Sequence, residues 1–396
     1  MDSKLTPYGQ KYSSINTTDL IPLPGPEPRR LSGKSVHPKM IRATAARKEA
    51  AYSFGFEFSR RDRHASAMKA RETSSSSECH VTSTSRRKFL RQTVGLATGA
   101  AVLSELPRES HAAISADPLL PTVKLGPHEV TRLIIGGNPI YGYSHFNKIL
   151  SQSQTSWHTP ERVVELLKHA EAKGINTWQN SFAERTLSDL DRYRAAGGKL
   201  HWLCLGKPDW DEKPHLIEEA AKRKPIGIAP HGSLGERLHR ERKLTVLHDL
   251  LKRIRDQGVL VGLSAHNPAL IELAEEKGWH IDYYMCCLYY LTRSREEFDK
   301  LFGGEAPLGE VYLPSDPARM LKVIRATPKP CLAYKLLAAG RRVESPAQVR
   351  QCFETAFNNI KSTDAVIVGM YQQFSDQIGE NSAIVREVGS RKAKEK

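Results

Sequence analysis

Two side chains suited to acid–base or nucleophilic chemistry follow short apolar runs in the middle of the chain. Lys207 comes after the run LHWLCLG (200–206), and His231 comes after PIGIAP (225–230). A lysine amine can carry a proton or attack a carbonyl carbon, and a histidine titrates nearest to neutral pH. If both runs are strands of one parallel sheet, the two groups lie at the same edge of that sheet. The pattern therefore predicts an active site at the strand ends.

The elements that would position these groups form a regular alternation. The helix that starts at Pro160 is typical, with Thr159 as its N-cap and Gly174 beyond its end. Strands that alternate with helices indicate βα units, and eight such units match a (β/α)8 barrel of roughly 250 residues. The predicted strands are 131–136, 174–179, 200–206, 225–230, 259–264, 281–287, 330–335 and 364–369. The predicted helices are 160–170, 184–196, 214–223, 243–257, 268–277, 316–327, 346–361 and 374–387.

An open, doubly wound sheet is the main alternative to a barrel. It would place a GxGxxG turn directly after the first strand. The chain has Gly136-Gly137-Asn138-Pro139 there instead. We therefore predict an α/β fold with one (β/α)8 TIM-type barrel over residues 120–390. The connections 206–215, 233–243 and 292–313 are predicted loops that select the substrate, and the last is long enough to be a lid.

The other strand ends add polar residues to the predicted site. Eight such ends converge on one mouth, which favours an active site over a bare scaffold. These residues are Asn138 and Tyr141 after the first strand, Gln179, Asn180 and Ser181 after the second, Ser264, His266 and Asn267 after the fifth, Tyr289 after the sixth, Tyr334 and Lys335 after the seventh, and Gly369, Met370 and Gln373 after the eighth.

Four stretches of the chain resemble the aldo-keto reductase family: VTRLIIGGNPIYG, HAEAKGINTWQNS, GLSAHNPALIELA and DAVIVGMYQQFSDQIGENSAIV. The resemblance implies an NADP(H)-dependent oxidoreductase that acts on a small carbonyl or sugar-like substrate. In the last stretch Gly369 lets the backbone approach a ligand, and Ser375 is the predicted cap of a helix whose N-terminus suits phosphate. The cofactor-binding residues that the resemblance implies are Asn138, Ser264, Asn267, Tyr334, Lys335, Gly369, Met370, Gln373, Gln377, Glu380 and Asn381.

The catalytic set that this resemblance implies is incomplete. The family uses a Tyr as proton donor, a Lys that lowers its pKa, an Asp that supports the Lys, and a His that orients the carbonyl. Lys207 and His231 match, but Gln179 stands at the Asp position and no Tyr follows it. A phenol has a pKa near 10 in water and needs a neighbouring cation to act at neutral pH. We therefore predict that Tyr141 or Tyr143 supplies the phenol and Lys207 the cation.

Two other function classes remain open. A non-redox barrel enzyme, such as a lyase, isomerase or hydrolase, would use Lys207 as a Schiff-base or acid–base group, or His231 and His266 as metal ligands. A non-catalytic ligand-binding barrel is the other alternative. The histidines lack HxH or HExxH spacing, and the six cysteines form no CxxC pair, so we predict no metal site.

The front of the chain has a different composition. Residues 1–84 have no sustained apolar period and are predicted to be disordered or a mis-annotated extension. Residues 85–113 resemble a twin-arginine signal, with SRRKFL (85–90), an apolar run (93–103) and small residues at 110–113. The alternative is a chance basic pair before a core helix. A signal at this depth predicts translation from near Met68, export by the twin-arginine machinery to the periplasm or outside, and no stable membrane anchor after cleavage.

The positive charge of the chain is concentrated at its ends. The net charge is +15, and residues 1–113 hold 19 Lys and Arg against 10 Asp and Glu. Residues 391–396 form a short basic tail. Because the basic residues do not interleave with aromatic ones, and no finger or helix-turn-helix pattern is present, we expect a small-molecule substrate rather than a nucleic-acid partner.

Overall fold

The computed structural model describes residues 116–305 and 307–390. The predicted N-terminal extension, the signal segment, the start at Met68 and the basic tail lie outside the described residues. Among those that are described, no helix combines the length and the apolar character needed to cross a bilayer.

Eight parallel strands close into a barrel, in the order in which they follow along the chain. The last strand pairs with the first, with Gly369 beside Gly136. Every strand predicted from the sequence overlaps one of the eight, so the predicted (β/α)8 TIM-type fold is confirmed. The strands are β3 (Leu133–Gly136), β4 (Thr177–Ser181), β5 (His201–Leu205), β6 (Gly227–Ala229), β7 (Leu260–Ala265), β8 (Tyr283–Cys287), β9 (Cys331–Tyr334) and β10 (Ala365–Gly369).

A hairpin precedes the barrel and closes its floor. Strands β1 (Thr122–Leu125) and β2 (His128–Thr131) pair antiparallel. The side chains of Val123, Leu125 and Val130 pack in one apolar cluster with inner barrel residues. The first predicted strand, 131–136, therefore divides between β2 and β3 at Arg132.

Eight of the eleven described helices are those predicted from the sequence. The three others replace predicted irregular segments: α1 precedes the first predicted helix, α5 occupies most of the predicted loop 233–243, and α8 lies in the predicted loop 292–313. The helices are α1 (Lys148–Trp157), α2 (Pro160–Ala172), α3 (Glu184–Ala195), α4 (Leu216–Ala221), α5 (Gly232–Arg240), α6 (Leu244–Arg255), α7 (Pro268–Glu276), α8 (Arg295–Phe302), α9 (Asp316–Ala326), α10 (Pro346–Phe357) and α11 (Gln377–Val388).

The lower interior of the barrel is filled by side chains. The ring of Tyr283 lies across the inside, and glycines on the neighbouring strands make room for it. A Cβ added at Gly262 would lie 2.4 Å from the Tyr283 ring, and one at Gly227 would lie 2.9 Å from it. Because such barrels are packed cores, a ligand can enter only from the end where the strands finish.

Candidate functional site

A cavity of about 750 Å³ opens at the carboxyl ends of the strands. Its floor is the top layer of the barrel interior, with Gln179 from β4, Met285 from β8, Tyr334 from β9 and Ile367 from β10. Its walls come from the loops after β3, β9 and β10, and from α11. The volume suits a small organic ligand, and the position is where barrel enzymes place their chemistry.

Nine of the predicted site residues line this cavity. They share one half of the mouth, formed by β3, β4, β9, β10, the loops after these strands and α11. They are Asn138, Tyr143, Gln179, Tyr334, Lys335, Gly369, Gln377, Glu380 and Asn381.

Four predicted cofactor residues have other positions. The Ser264 Oγ lies 3.3 Å from the Tyr334 Oη beneath the cavity. Asn267 caps α7. Met370 is buried in the core. The Gln373 Oε1 accepts a hydrogen bond from the Tyr371 hydroxyl.

Tyr141, the predicted proton donor, lies behind the barrel wall rather than in the cavity. Its ring stacks on Trp178 at 6.5 Å between centroids, and the Arg185 guanidinium lies over its face. Burial, followed by the negative charge of Asp189, raises the pKa of Tyr141 well above its ordinary value. The Lys207 ammonium instead acts electrostatically on Asp209, two residues further along the chain. Tyr141 is therefore not at the cavity with a cation beside it, whereas Tyr143, the other predicted phenol, lines the cavity and Lys207 does not.

His231 also lies outside the cavity, as the cap of α5. Its Nδ1 accepts a hydrogen bond from the Ser233 backbone N–H at 3.2 Å. Burial, followed by the neighbouring His266, lowers the pKa of His231 to about 3. This imidazole is therefore neutral at physiological pH.

Lys335 is the reactive group that the cavity does contain. It follows β9 with a backbone φ of 64°, in the left-handed region that a side chain with a Cβ rarely adopts. Its Nζ is buried, and it has no hydrogen-bond partner among the described residues. Strained backbone and unpaired buried polar groups are both costly, and they are retained mainly at functional sites.

The surroundings of Lys335 favour its neutral amine. Burial is the largest influence, and it lowers the pKa of Lys335. The neighbouring Cys287 offers little compensation, because burial raises its own pKa to about 12 and leaves it a thiol. The Glu310 carboxylate opposes the shift, and the Arg341 guanidinium adds to it. A desolvated lysine next to another cation is a recognised form of nucleophilic amine.

The rim of the cavity carries a contact between three loops, which we call the mouth clasp (His145, Glu310 and Arg341). The His145 Nδ1 lies 2.7 Å from Glu310 Oε1. Arg341 donates to the His145 carbonyl at 2.9 Å, and its guanidinium lies 4.1 Å from the Tyr312 ring centroid. Burial acts to raise the pKa of Glu310, but the hydrogen bond from His145 and the nearby positive charge lower it to about 2. The clasp therefore holds an ionised carboxylate at the edge of the cavity.

The N-terminus of α11 was predicted to bind phosphate. In the structure, side chains of the same protein already accept hydrogen bonds from its backbone N–H groups. Its cap is Asp376 rather than the predicted Ser375. The Asp376 carboxylate accepts from Gly379 N–H, and the Gln372 side chain accepts from Ile378 N–H. Burial acts to raise the pKa of Asp376, but the Gly379 N–H and neighbouring side chains hold it at about 2. An ionised carboxylate already satisfies this helix end, so a phosphate would have to displace it.

Sequence reasoning missed the clasp residues His145 and Glu310. Both lie in irregular segments with no apolar period, so nothing local indicated that they meet across the mouth. Lys335 was identified, but as a cofactor contact. For metal binding, the described part of the chain contains no cluster of three or more His, Cys, Asp or Glu side chains suited to an ion.

The closed sheet and its cavity define a TIM-type barrel with an enzyme-like site at the strand ends. No known protein family matches the sequence, and no curated protein does. Among solved structures, the apo form of Gox0644 matches with 10% identity and a TM-score of 0.41, over 68% of this chain and 93% of its own. A truncated 3-deoxy-D-arabino-heptulosonate 7-phosphate synthase from Thermotoga maritima matches with 13% identity and a TM-score of 0.41, over 68% and 91%. These likenesses concern the fold alone and do not decide between the predicted functions.

Proposed function

We propose that this protein is a non-redox barrel enzyme, a lyase or isomerase, that binds a small carbonyl compound in the cavity and attacks it with the Lys335 amine. The observation that supports this most directly is the buried Nζ of Lys335 at the cavity wall, which has no hydrogen-bond partner within residues 116–305 and 307–390. A neutral amine adds to a carbonyl carbon, the adduct loses water, and a protonated Schiff base results. The sequence analysis left this Schiff-base chemistry open for Lys207, and Lys335 lies on the opposite side of the barrel, four strands away.

Reductive trapping tests the proposal. The protein is incubated with hydroxyacetone and cyanoborohydride at neutral pH, and the modified lysine is located by peptide mass spectrometry. We expect Lys335 to be modified faster than exposed lysines, by about tenfold for each unit by which its pKa is lowered. Modification spread over surface lysines with Lys335 untouched would contradict the proposal.

The matched variants are Lys335→Met and Lys207→Met. Both remove an amino group after a barrel strand, but only the first removes one from the cavity wall. The first is expected to lose the specific adduct and the second to keep it, with circular dichroism as the check on folding.

An NADP(H)-dependent oxidoreductase is the second candidate, since seven of the residues predicted to bind the cofactor line this cavity. The observation against this candidate is the N-terminus of α11. The ionised Asp376 carboxylate caps this helix end, which was predicted to bind a cofactor phosphate. Titration with NADPH, followed by fluorescence, separates the two candidates. Micromolar binding that Asn381→Leu weakens would favour this candidate, and no binding would remove it.

A further inference from the structure

A second group of polar side chains lies below the mouth, beside the strand that carries Lys335. Glu236, on α5, is only 3% exposed. One of its oxygens accepts the backbone N–H groups of His266 and Asn267, the latter at 2.6 Å. Its other oxygen lies 3.3 Å from the His266 Nδ1. The sequence placed His266 at a strand end but gave no role to Glu236, because the glycines of α5 hid that helix.

Three donors converge on this buried carboxylate, so it is held ionised. Burial acts to raise the pKa of Glu236, but the neighbouring His266 and the hydrogen bonds outweigh it and lower that pKa. A carboxylate at Nδ1 fixes the imidazole tautomer with its proton on Nδ1, and the Nε2 lone pair is then free to accept a proton. In an oriented general base, a carboxylate accepts a hydrogen bond from one imidazole nitrogen, and the other imidazole nitrogen faces the reacting atom.

The His266 ring reaches toward the strand that carries the amine. Its centroid lies 6.1 Å from that of Tyr334, and Tyr334 directly precedes Lys335. The backbone of Gly232 makes room for the ring, since a Cβ there would lie 2.9 Å from the His266 Nδ1. His145, which lines the cavity, lies within electrostatic range of both His266 and Lys335, and each of them acts to lower its pKa.

We propose that His266, oriented by Glu236, is the general base that removes the α-proton of a carbonyl compound bound to Lys335. This inference rests on the proposed function. His266 is then a catalytic residue, and Glu236 is a positioning residue.

The reaction balances without an oxidant or a second substrate. The Lys335 amine forms a C–N bond to the carbonyl carbon, and the carbonyl oxygen takes up one proton from the amine and one from solvent. The C–O bond then breaks, the oxygen leaves as water, and an iminium ion results. The His266 Nε2 takes the α-proton, and the C–H electron pair forms the C=C bond of an enamine as the iminium charge is neutralised. Return of a proton to carbon and hydrolysis regenerate the carbonyl compound and the free amine. In D2O, the returning proton is replaced by deuterium.

Two measurements on the same samples separate the two steps. Hydroxyacetone is incubated with the full chain in D2O, and loss of its α-proton signals is followed by NMR. Cyanoborohydride trapping on Lys335 is measured in parallel. For His266→Gln we expect trapping within about twofold of the parent and proton exchange reduced at least about 100-fold, the usual contribution of general base catalysis.

Further variants test the positioning role and guard against misfolding. Glu236→Gln is expected to lower exchange while trapping persists, whereas a purely structural role would lower both. In His266→Ala, added imidazole is expected to restore part of the exchange. His231→Asn is the matched control, because it removes the neighbouring imidazole and keeps a cap for α5.

The outcomes are distinct. No trapping on Lys335 in the parent protein overturns the proposed function, and this inference with it. Trapping without exchange in the parent, or undiminished exchange in both His266 variants, overturns this inference alone and leaves the Lys335 amine as the reactive group.

Discussion

Two buried basic side chains, Arg132 at the floor of the barrel and Lys335 at its mouth, have opposite surroundings. At the floor, the Arg132 guanidinium donates to the backbone carbonyls of Asp364, Lys361 and Gly389. The Asp364 carboxylate accepts the backbone N–H groups of Cys331 and Lys361, and it lies 3.0 Å from the Lys361 ammonium. Each charge there is held by several partners.

At the mouth, the buried Lys335 amine has no partner among the described residues and sits on strained backbone. Removing one partner of a fully paired buried charge destabilises a fold, whereas a buried amine without partners itself costs stability and is retained for another reason. The contrast therefore separates a floor that maintains the barrel from a mouth that acts on a ligand.

The largest expected effect on stability comes from a substitution at the floor of the barrel. Arg132→Met takes a donor away from three carbonyls, of which that of Lys361 keeps the Asp364 N–H, and removes the guanidinium 4.8 Å from the Phe357 ring centroid. We expect the free energy of unfolding to fall by about 3–5 kcal/mol, measured by urea denaturation. Arg192→Met, on an exposed helix face, is the control and should stay within about 0.5 kcal/mol of the parent. A loss below about 1 kcal/mol for Arg132→Met would remove the contrast between the two ends.

The corresponding substitution at the mouth of the barrel is expected to change the free energy of unfolding in the opposite direction. Lys335→Met removes a buried amine without a partner, so we expect stability to rise by about 1–2 kcal/mol. Burial lowers the pKa of Lys335, so the unfolded chain binds the proton at higher pH than the folded chain. The gain should therefore be complete below the folded pKa and disappear as pH rises toward that of free lysine. Urea denaturation at several pH values measures this, and a loss of stability would show that Lys335 has a structural partner.

The stability of the protein should also fall at acidic pH because of His231. Its folded pKa of about 3 lies below that of a free histidine, because the ring is buried and faces His266. As pH falls from about 6.5 toward 3, the unfolded chain takes up a proton that the folded chain refuses, so stability falls by at most about 1.4 kcal/mol per pH unit. His231→Asn keeps an acceptor for the Ser233 N–H and cannot titrate. Its stability should decline less steeply over this range, and an unchanged slope would contradict the pKa shift.

The smallest expected effect concerns the mouth clasp. His145→Ala removes a partly exposed contact with Glu310, so stability should change by less than about 1 kcal/mol. Trapping of hydroxyacetone on Lys335 should become about two- to fivefold faster as the rim loosens, which corresponds to a similar free energy. Mass spectrometry of Lys335, with Lys207 as internal reference, measures the change. Slower trapping would show that His145 takes part in the reaction.

The regular elements were predictable because their signals are local. Apolar spacing identified all eight barrel strands and eight of the helices, and Thr159 with Pro160 gave the start of α2. The helix α5 was missed because Gly232 and Gly235 weaken its propensity, although Leu234 and Leu238 carry the helical spacing. Asp376 rather than Ser375 caps α11, because side chains one residue apart compete for the same backbone groups and tertiary contacts choose between them.

The sequence alone determined the barrel, the end that carries the polar residues, and a minority of the residues that line its cavity, since strand and helix periods and the rule for parallel strand ends depend only on order along the chain. Only the tertiary structure decided which lysine lacks a partner, that Tyr141 lies behind the wall, and that Glu236 orients His266. Burial and pairing depend on groups distant in sequence, and the chemistry of a side chain depends on both.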